Sequence, residues 1–238
     1  MKKKDHLQIG KLLLAQKDTK LSGIQRLAFL FGCVEPDINP FTYARGSIKH
    51  EFLHGHHADN SSKHRHKLMH RLSNSGVHSL WQWFSLGTLI HYAVDSFTYP
   101  HNSVFGGSMA EHIQYEKQLH ANFVEHLKEL AARGEQKLRG IRDVDALHER
   151  YLKGAGTVQT DCRYIIDSSK LIWRHLLSCS HHHLSACGEG EAASGTGVDL
   201  PCAAGHLGLQ SAHSALLRAL GFEPQSVIIR INSITRTG

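Results

Sequence analysis

Apolar residues recur at helical spacing from about residue 6 to about residue 178. Leu12, Leu13 and Gln16, and then Ile24, Leu27, Ala28 and Phe31, fall at i, i+3 and i+4 positions, with a break at Ser22-Gly23. Glu35-Pro36-Asp37-Ile38-Asn39-Pro40 reads as a loop, because proline has no N–H for the helix ladder and its ring crowds the preceding turn. The polar, His-rich stretch 45–60 reads as irregular, after which Ser61 or Ser62 is expected to cap a helix through Leu68 and Leu72. The strongest periodic segment is 79–97, with Leu80, Trp83, Phe84, Gly87, Ile90, His91, Val94 and Asp95 along one stripe, and Pro100 stops it. A helix is predicted over 109–132, with His112, Glu116, Leu119, His120, Phe123 and Leu127 on one side, and another over 161–177. Alternating patterns are scarce, and only 227–231 hints at a strand. The predicted fold class is all-α, a multi-helix bundle.

Beyond residue 180 the pattern fades. Residues 188–205 are rich in Gly, Ala and Ser, and 181–238 is read as a weakly ordered tail with one short helix at 207–220. The expected organisation is therefore a helical domain over 1–180 followed by that tail. The His181-His182-His183 run reads as a solvated polar loop.

Composition narrows the class. Hydrophobic residues make up 41% of the 238 and charged residues 20%, too apolar for a disordered chain. No apolar run approaches the roughly 20 residues that span a bilayer. The net charge of +6 and pI of about 9.1 suit anionic partners such as phosphate groups, nucleic acid or an acidic lipid surface. No basic stripe is interleaved with aromatics, which disfavours nucleic acid. Lys2-Lys3-Lys4 followed by Leu12-Leu13-Leu14-Ala15 imitates an export signal, but Asp5, His6, Gln8 and Lys11 interrupt it, and a cytoplasmic location is expected. Five cysteines (33, 162, 179, 187 and 202) are scattered without a CxxC pair and read as free thiols. Histidine is the anomaly: there are 21, two-thirds of them before residue 127, which places the chemistry in the first half.

Within that half, His91-x3-Asp95-x5-His101 is followed by His112-x3-Glu116. Side chains four apart on a helix lie one above the other, about 5–6 Å between Cβ atoms. Both pairs are thus ready-made N/O chelates, and imidazole and carboxylate are the ligands zinc takes. His91 and Asp95 share a stripe with Ile90 and Val94, and His112 and Glu116 share one with Leu119 and Phe123, so all four are expected to point inward. A buried carboxylate needs a partner, and a divalent cation is a strong one. Gly87, one turn before His91, is read as leaving room on that face for a bulky group.

At these residues the chain resembles the bacterial zinc-dependent phospholipase C family. Gly87, His91, Asp95, Pro100, His101, His112 and Glu116 match its G-x3-H-x3-D-x5-H and H-x3-E runs, including the proline before the third His. Upstream, GCVEPDINPF is similar to the family's G-x3-P-D loop and places a ligand at Asp37. His56 in LHGHHADNSS is the choice for the next family His, with His50 and His54 as alternatives, and His6 is the counterpart of the His at the head of the first helix. The resemblance covers about residues 4–127. It implies an all-α domain holding two or three zinc ions, the first on Asp37, His56, His91 and Asp95, the second on His101, His112 and Glu116. His6, with Asp95 as a bridge, would hold the third. The secreted family members also use the amino group and carbonyl of an N-terminal Trp on that third metal. This chain begins MKKKD, so the third site is expected to lack those ligands.

The activity the resemblance implies is zinc-dependent hydrolysis of a phosphodiester, most simply a phospholipid headgroup diester, with Asp37 orienting or deprotonating the attacking water. Contact with a membrane surface would be peripheral. Two other readings stay open: a zinc phosphodiesterase or nuclease of the same architecture, and a catalytically inactive metal-binding protein. Trp81, Trp83 and Phe84 read as core, His64, His66 and His70 as solvated, and His120 and His126 as surface, core or supporting donors. Asn102 is read as orienting His101.

Overall fold

Two sequence signals start the central helices where the periodicity says they should. Ser22 and Ser79 each accept a hydrogen bond from the backbone N–H three residues on, and Gln25 and Gln82 reach back to the serine N–H, closing reciprocal caps. The computed structural model describes residues 1–16, 21–42, 56–133 and 144–186, which lie within one compact unit, Met1–Glu189. In chain order these form α1 (Lys3–Leu14), α2 (Gly23–Ile38), α3 (Ala58–Ser75), α4 (Leu80–Ser96), α5 (Met109–Arg133), α6 (Val144–Leu152) and α7 (Val158–Ala186). Short 3-10 turns occupy Pro40–Thr42 and Tyr99–His101. No strand occurs among the described residues, so the fold is all-α.

α4 is the axis of the bundle. Trp83 and every residue from Ser85 to Ser96 are buried, because the helix is covered by α2, α3 and α7. A helix that is apolar nearly all round must sit in the interior. Phe29 of α2 packs on Trp83 of α4 and Trp173 of α7, with ring centroids 6.3 and 5.1 Å apart. At the other end Phe97, Tyr151 and Tyr164 form a second aromatic group.

The structure corrects several sequence expectations. Residues 35–38 are not a loop: α2 runs through them with Pro36 inside its last turn. A proline there forfeits a single ladder bond. The terminal carbonyls find other donors, with Asn39 N–H bonding Glu35 at 2.9 Å and the Thr42 hydroxyl donating to Pro36 at 2.5 Å. α3 begins at Ala58, before Ser61, whose hydroxyl donates to the His57 carbonyl instead of capping. α6 was not predicted; with only Leu147 and Tyr151 buried in nine residues it is too short to show a period. α7 starts at Val158, where Thr157 accepts from Thr160 N–H, and extends to Ala186, past the expected boundary at 180.

Trp81 is not core but 64% exposed, stacked on half-buried Phe84, while Trp83 is buried as expected. His66 and His70 are exposed, and His64 is half-buried against Tyr92. Cys33, Cys162 and Cys179 are free thiols. The expectations for 187–238, including the helix at 207–220, the strand at 227–231, Cys187 and Cys202, fall outside the described residues, as do His50 and His54.

Candidate metal centre

α4 delivers His91 and Asp95 to one point through a close helix crossing. Gly87 does not open space for a bulky group; it lets α2 in. A Cβ on Gly87 would stand 2.2 Å from the Phe29 carbonyl oxygen, and one on Gly32 would stand 2.1 Å from that of Phe84. One turn beyond the crossing, His91 Nδ1 donates to the Cys33 carbonyl at 2.9 Å. That bond fixes the tautomer, so the neutral ring presents the lone pair of Nε2 to the interior.

His56 is oriented by the same logic. The Thr42 hydroxyl spends its single proton on the carbonyls of Pro36 and Asn39, at 2.5 and 2.6 Å. Toward His56 Nε2, 3.3 Å away, it can only accept, so Nε2 carries the proton and Nδ1 carries a lone pair. His56 Nδ1 and His91 Nε2 lie 3.2 Å apart. Asp95 Oδ2 lies 3.1 and 3.3 Å from them, and Asp37 Oδ1 lies 3.8 Å from both. His56 Nδ1, His91 Nε2 and one oxygen each of Asp95 and Asp37 thus converge on one point.

The other carboxylate oxygen of Asp95 faces a different group. Oδ1 lies 3.2 Å from His6 Nε2, on a ring stacked over His91 at 3.9 Å. Neither nitrogen of the His6 ring has an aligned hydrogen-bond partner among the described residues, and neither does Asp37 Oδ2. On the far side, Glu116 Oε1 lies 3.2 Å from His101 Nε2 and 3.1 Å from His112 Nε2. His101 Nδ1 contacts the His56 carbonyl at 3.4 Å, which leaves Nε2 for the cluster.

The structure groups the eight residues in three sets, of which only His101, His112 and Glu116 coincide with an expected one; His91 falls with both His6 and Asp37. His6, His91 and Asp95, then Asp37, His56 and His91, and then His101, His112 and Glu116 each offer ligand atoms within 4.8 Å of one another. Tetrahedral ligands about 2.1 Å from zinc stand about 3.4 Å apart. The separations of 3.1 to 3.8 Å in the Asp37, His56, His91 and Asp95 set match that edge. The donor chemistry, its spacing and the orphaned His6 nitrogens all fit zinc.

One expectation about the third set changes. An α-amino group does reach it: the Met1 nitrogen lies 3.1 Å from Asp95 Oδ1, 2.9 Å from Glu116 Oε1 and 3.3 Å from His101 Nε2. Burial disfavours its charge, but Asp95, Glu116 and Asp37 override this and push its pKa up to about 11. The ammonium marks where these acids demand a cation. For Asp95, burial acts to raise the pKa, yet the ammonium with His101, His6 and His91 holds it well below the usual range. For Glu116, burial is likewise overridden by bonds from His101 and His112. Burial lowers the pKa of His6, helped by His91, and that of His101, helped by the ammonium.

Sequence reading missed the groups that support the cluster. Cys33 and His56 act through main-chain carbonyls and carry no side-chain signal. Asp161, fully buried on α7, accepts from Tyr99 N–H at 2.8 Å and from the Tyr115 and Tyr151 hydroxyls at 2.9 and 2.8 Å. It thereby anchors the turn that presents His101. Asn102 does not orient the His101 ring; its amide donates to the carbonyls of Ser96 and Thr98 and fixes that turn from the α4 side. His120 holds buried Asp5 at 2.5 Å beside the cluster.

No helix among the described residues is long and apolar enough to cross a membrane. No curated protein and no solved structure matches the chain significantly. The sequence model of the zinc-dependent phospholipase C family matches residues 5–168, a span that takes in all eight clustered His, Asp and Glu residues, and the chain belongs to that family.

Proposed function

We propose that the protein is a zinc-dependent phosphodiester hydrolase that cleaves a phospholipid headgroup diester. The observation that carries this reading is the convergence of His56 Nδ1, His91 Nε2, Asp95 Oδ2 and Asp37 Oδ1, a buried set of N and O atoms that a divalent cation would compensate. Asp37, His56, His91 and Asp95 would hold one ion, and His101, His112 and Glu116 a second. His6 and Asp95 Oδ1, with the Met1 nitrogen alongside, would hold a third. Zinc, when bound, supplies Lewis acidity for the phosphoryl oxygens and lowers the pKa of water.

The chain's own groups supply positioning and proton transfer. Asp37 Oδ2 has no hydrogen-bond partner and its residue lines an open cleft, so it can take the proton of the attacking water. The carbonyls of Cys33 and His56 lock the rings of His91 and His101. Asp161 and Asn102 keep the His101 turn from spreading when a negatively charged diester enters.

The test is release of diacylglycerol and phosphorylated headgroup from phospholipid by the zinc-loaded chain, with His91→Ala as the control. Turnover that disappears with chelator and with His91→Ala supports the reading. Mononucleotide release from single-stranded nucleic acid, with no action on lipid, would replace it with the nuclease. Stoichiometric zinc without turnover on either substrate would leave a metal-binding protein.

A further inference from the structure

The metal centre opens into a cleft of about 460 Å³ lined by Met1, Lys2, Lys3, Lys4, Asp37 and His120. Lys3 and Lys4 are exposed and Lys2 is half-buried, and none of the three is paired with a carboxylate among the described residues. Lys2 is the N-cap of α1 and makes no capping bond, and Lys3 and Lys4 begin the helix. That is the positive end of the helix dipole, where a lysine is disfavoured and an acid is wanted. The acid of this turn, Asp5, is buried and committed to His120. Three uncompensated cations on a positive helix end, beside a cluster built for further cations, form a local conflict of the kind that marks a functional surface.

The cleft is equally unsuited to a cationic headgroup. A quaternary ammonium is held by aromatic faces. Among the described residues no Phe, Tyr or Trp lines this cleft, and the one carboxylate among them, Asp37, faces His56 and His91 at 3.8 Å. Lysine ammoniums on flexible stems are suited to phosphate as point charges.

We propose that Lys2, Lys3 and Lys4 form an anion subsite, and that the diester cleaved here has a headgroup, the alcohol that stays on the phosphorus when diacylglycerol leaves, carrying its own phosphate or carboxylate. This rests on the hydrolase reading above and adds the substrate's charge to it. The reacting phosphodiester sits at the metal cluster while the second anion is held at the rim.

Calorimetric titration of the zinc-loaded full chain tests this with four soluble probes: glycerophosphoinositol 4-phosphate, glycerophosphoserine, glycerophosphocholine and inorganic phosphate. The inositol phosphate is expected to bind about tenfold more tightly than the choline compound, with the serine compound between them, given about threefold per exposed lysine. The preference is expected to collapse in Lys3→Gln/Lys4→Gln and at high salt. Choline binding as tight as the anionic probes, or a preference untouched by the double variant, overturns the proposal. So does inorganic phosphate matching the phosphorylated headgroup, or a single-stranded oligonucleotide binding more tightly than any headgroup. Hydrolysis of short-chain phospholipids with the same headgroups, measured in parallel, separates the two readings. A lysine-dependent binding preference without turnover sinks the hydrolase and supports the subsite. Turnover without a charge preference sinks the subsite alone.

Discussion

Gly32 of α2 and Gly87 of α4 meet backbone against backbone, and a Cβ on Gly32 would come within 3.1 Å of the Gly87 Cα. This crossing sets the Cys33 carbonyl against His91 Nδ1 and hence aims Nε2 into the cluster. Gly87→Ala would drive a methyl into the Phe29 carbonyl, so the helices must separate. The expected loss is about 3 kcal/mol of stability, the upper range for overpacking. Denaturant unfolding measures that loss, and zinc content of the folded variant is expected to fall with it. A variant as stable and as zinc-rich as wild type would refute the coupling of crossing to site.

The two oxygens of Asp95 face different ligand sets. Wild-type protein is expected to carry two or three zinc ions per chain. Glu116→Ala should lose the ion of the His101 and His112 set, whereas Asp95→Ala should lose the ions on both of its sides. Metal analysis after gel filtration checks this. Equal losses from the two variants would contradict the bridging role, and a folded wild type without zinc would remove the site.

Burial outweighs the three hydrogen bonds to Asp161 and raises its pKa to about 6. Because the folded-state value lies above the unfolded one, its stabilising contribution is fully present below about pH 4 and is lost as pH rises through 6. The stability of wild type relative to Asp161→Asn is therefore expected to decline by about 3 kcal/mol over that window. Chemical denaturation at a series of pH values reads it directly. A flat difference would show that the carboxyl does not titrate there.

Ser79 caps α4 remote from the cluster, accepting from Gln82 N–H at 3.2 Å. Ser79→Ala should cost about 1 kcal/mol. Zinc content should be unchanged, since the capped end is three turns from His91. Loss of zinc in this variant would mean that the whole helix, rather than the glycine crossing, sets the register of the site.

Helical period alone made the all-α class legible, because an apolar stripe that repeats every three or four residues has nowhere to go but a helix–helix interface. The spacing of His91, Asp95, His101, His112 and Glu116 was legible for the same reason, since chelating pairs four apart are local geometry. Asp37 lies beside His56 and His91, but in the last turn of α2 and not in the loop the sequence suggests. Whether Pro36 breaks α2 depends on Thr42 and Asn39 collecting its end carbonyls, and that closure is not local to the helix.

By itself the sequence determined the all-α class, the chelating spacings and the excess of lysine at the start of the chain, all properties of short segments. Tertiary structure decided that Gly87 serves a helix crossing, that Cys33 and Thr42 choose the tautomers of His91 and His56, and that Met1 and Asp161 reach the cluster's surroundings. Those outcomes depend on main-chain atoms and on residues far apart in the chain, and a linear pattern carries no record of which carbonyl or amine will meet which ring.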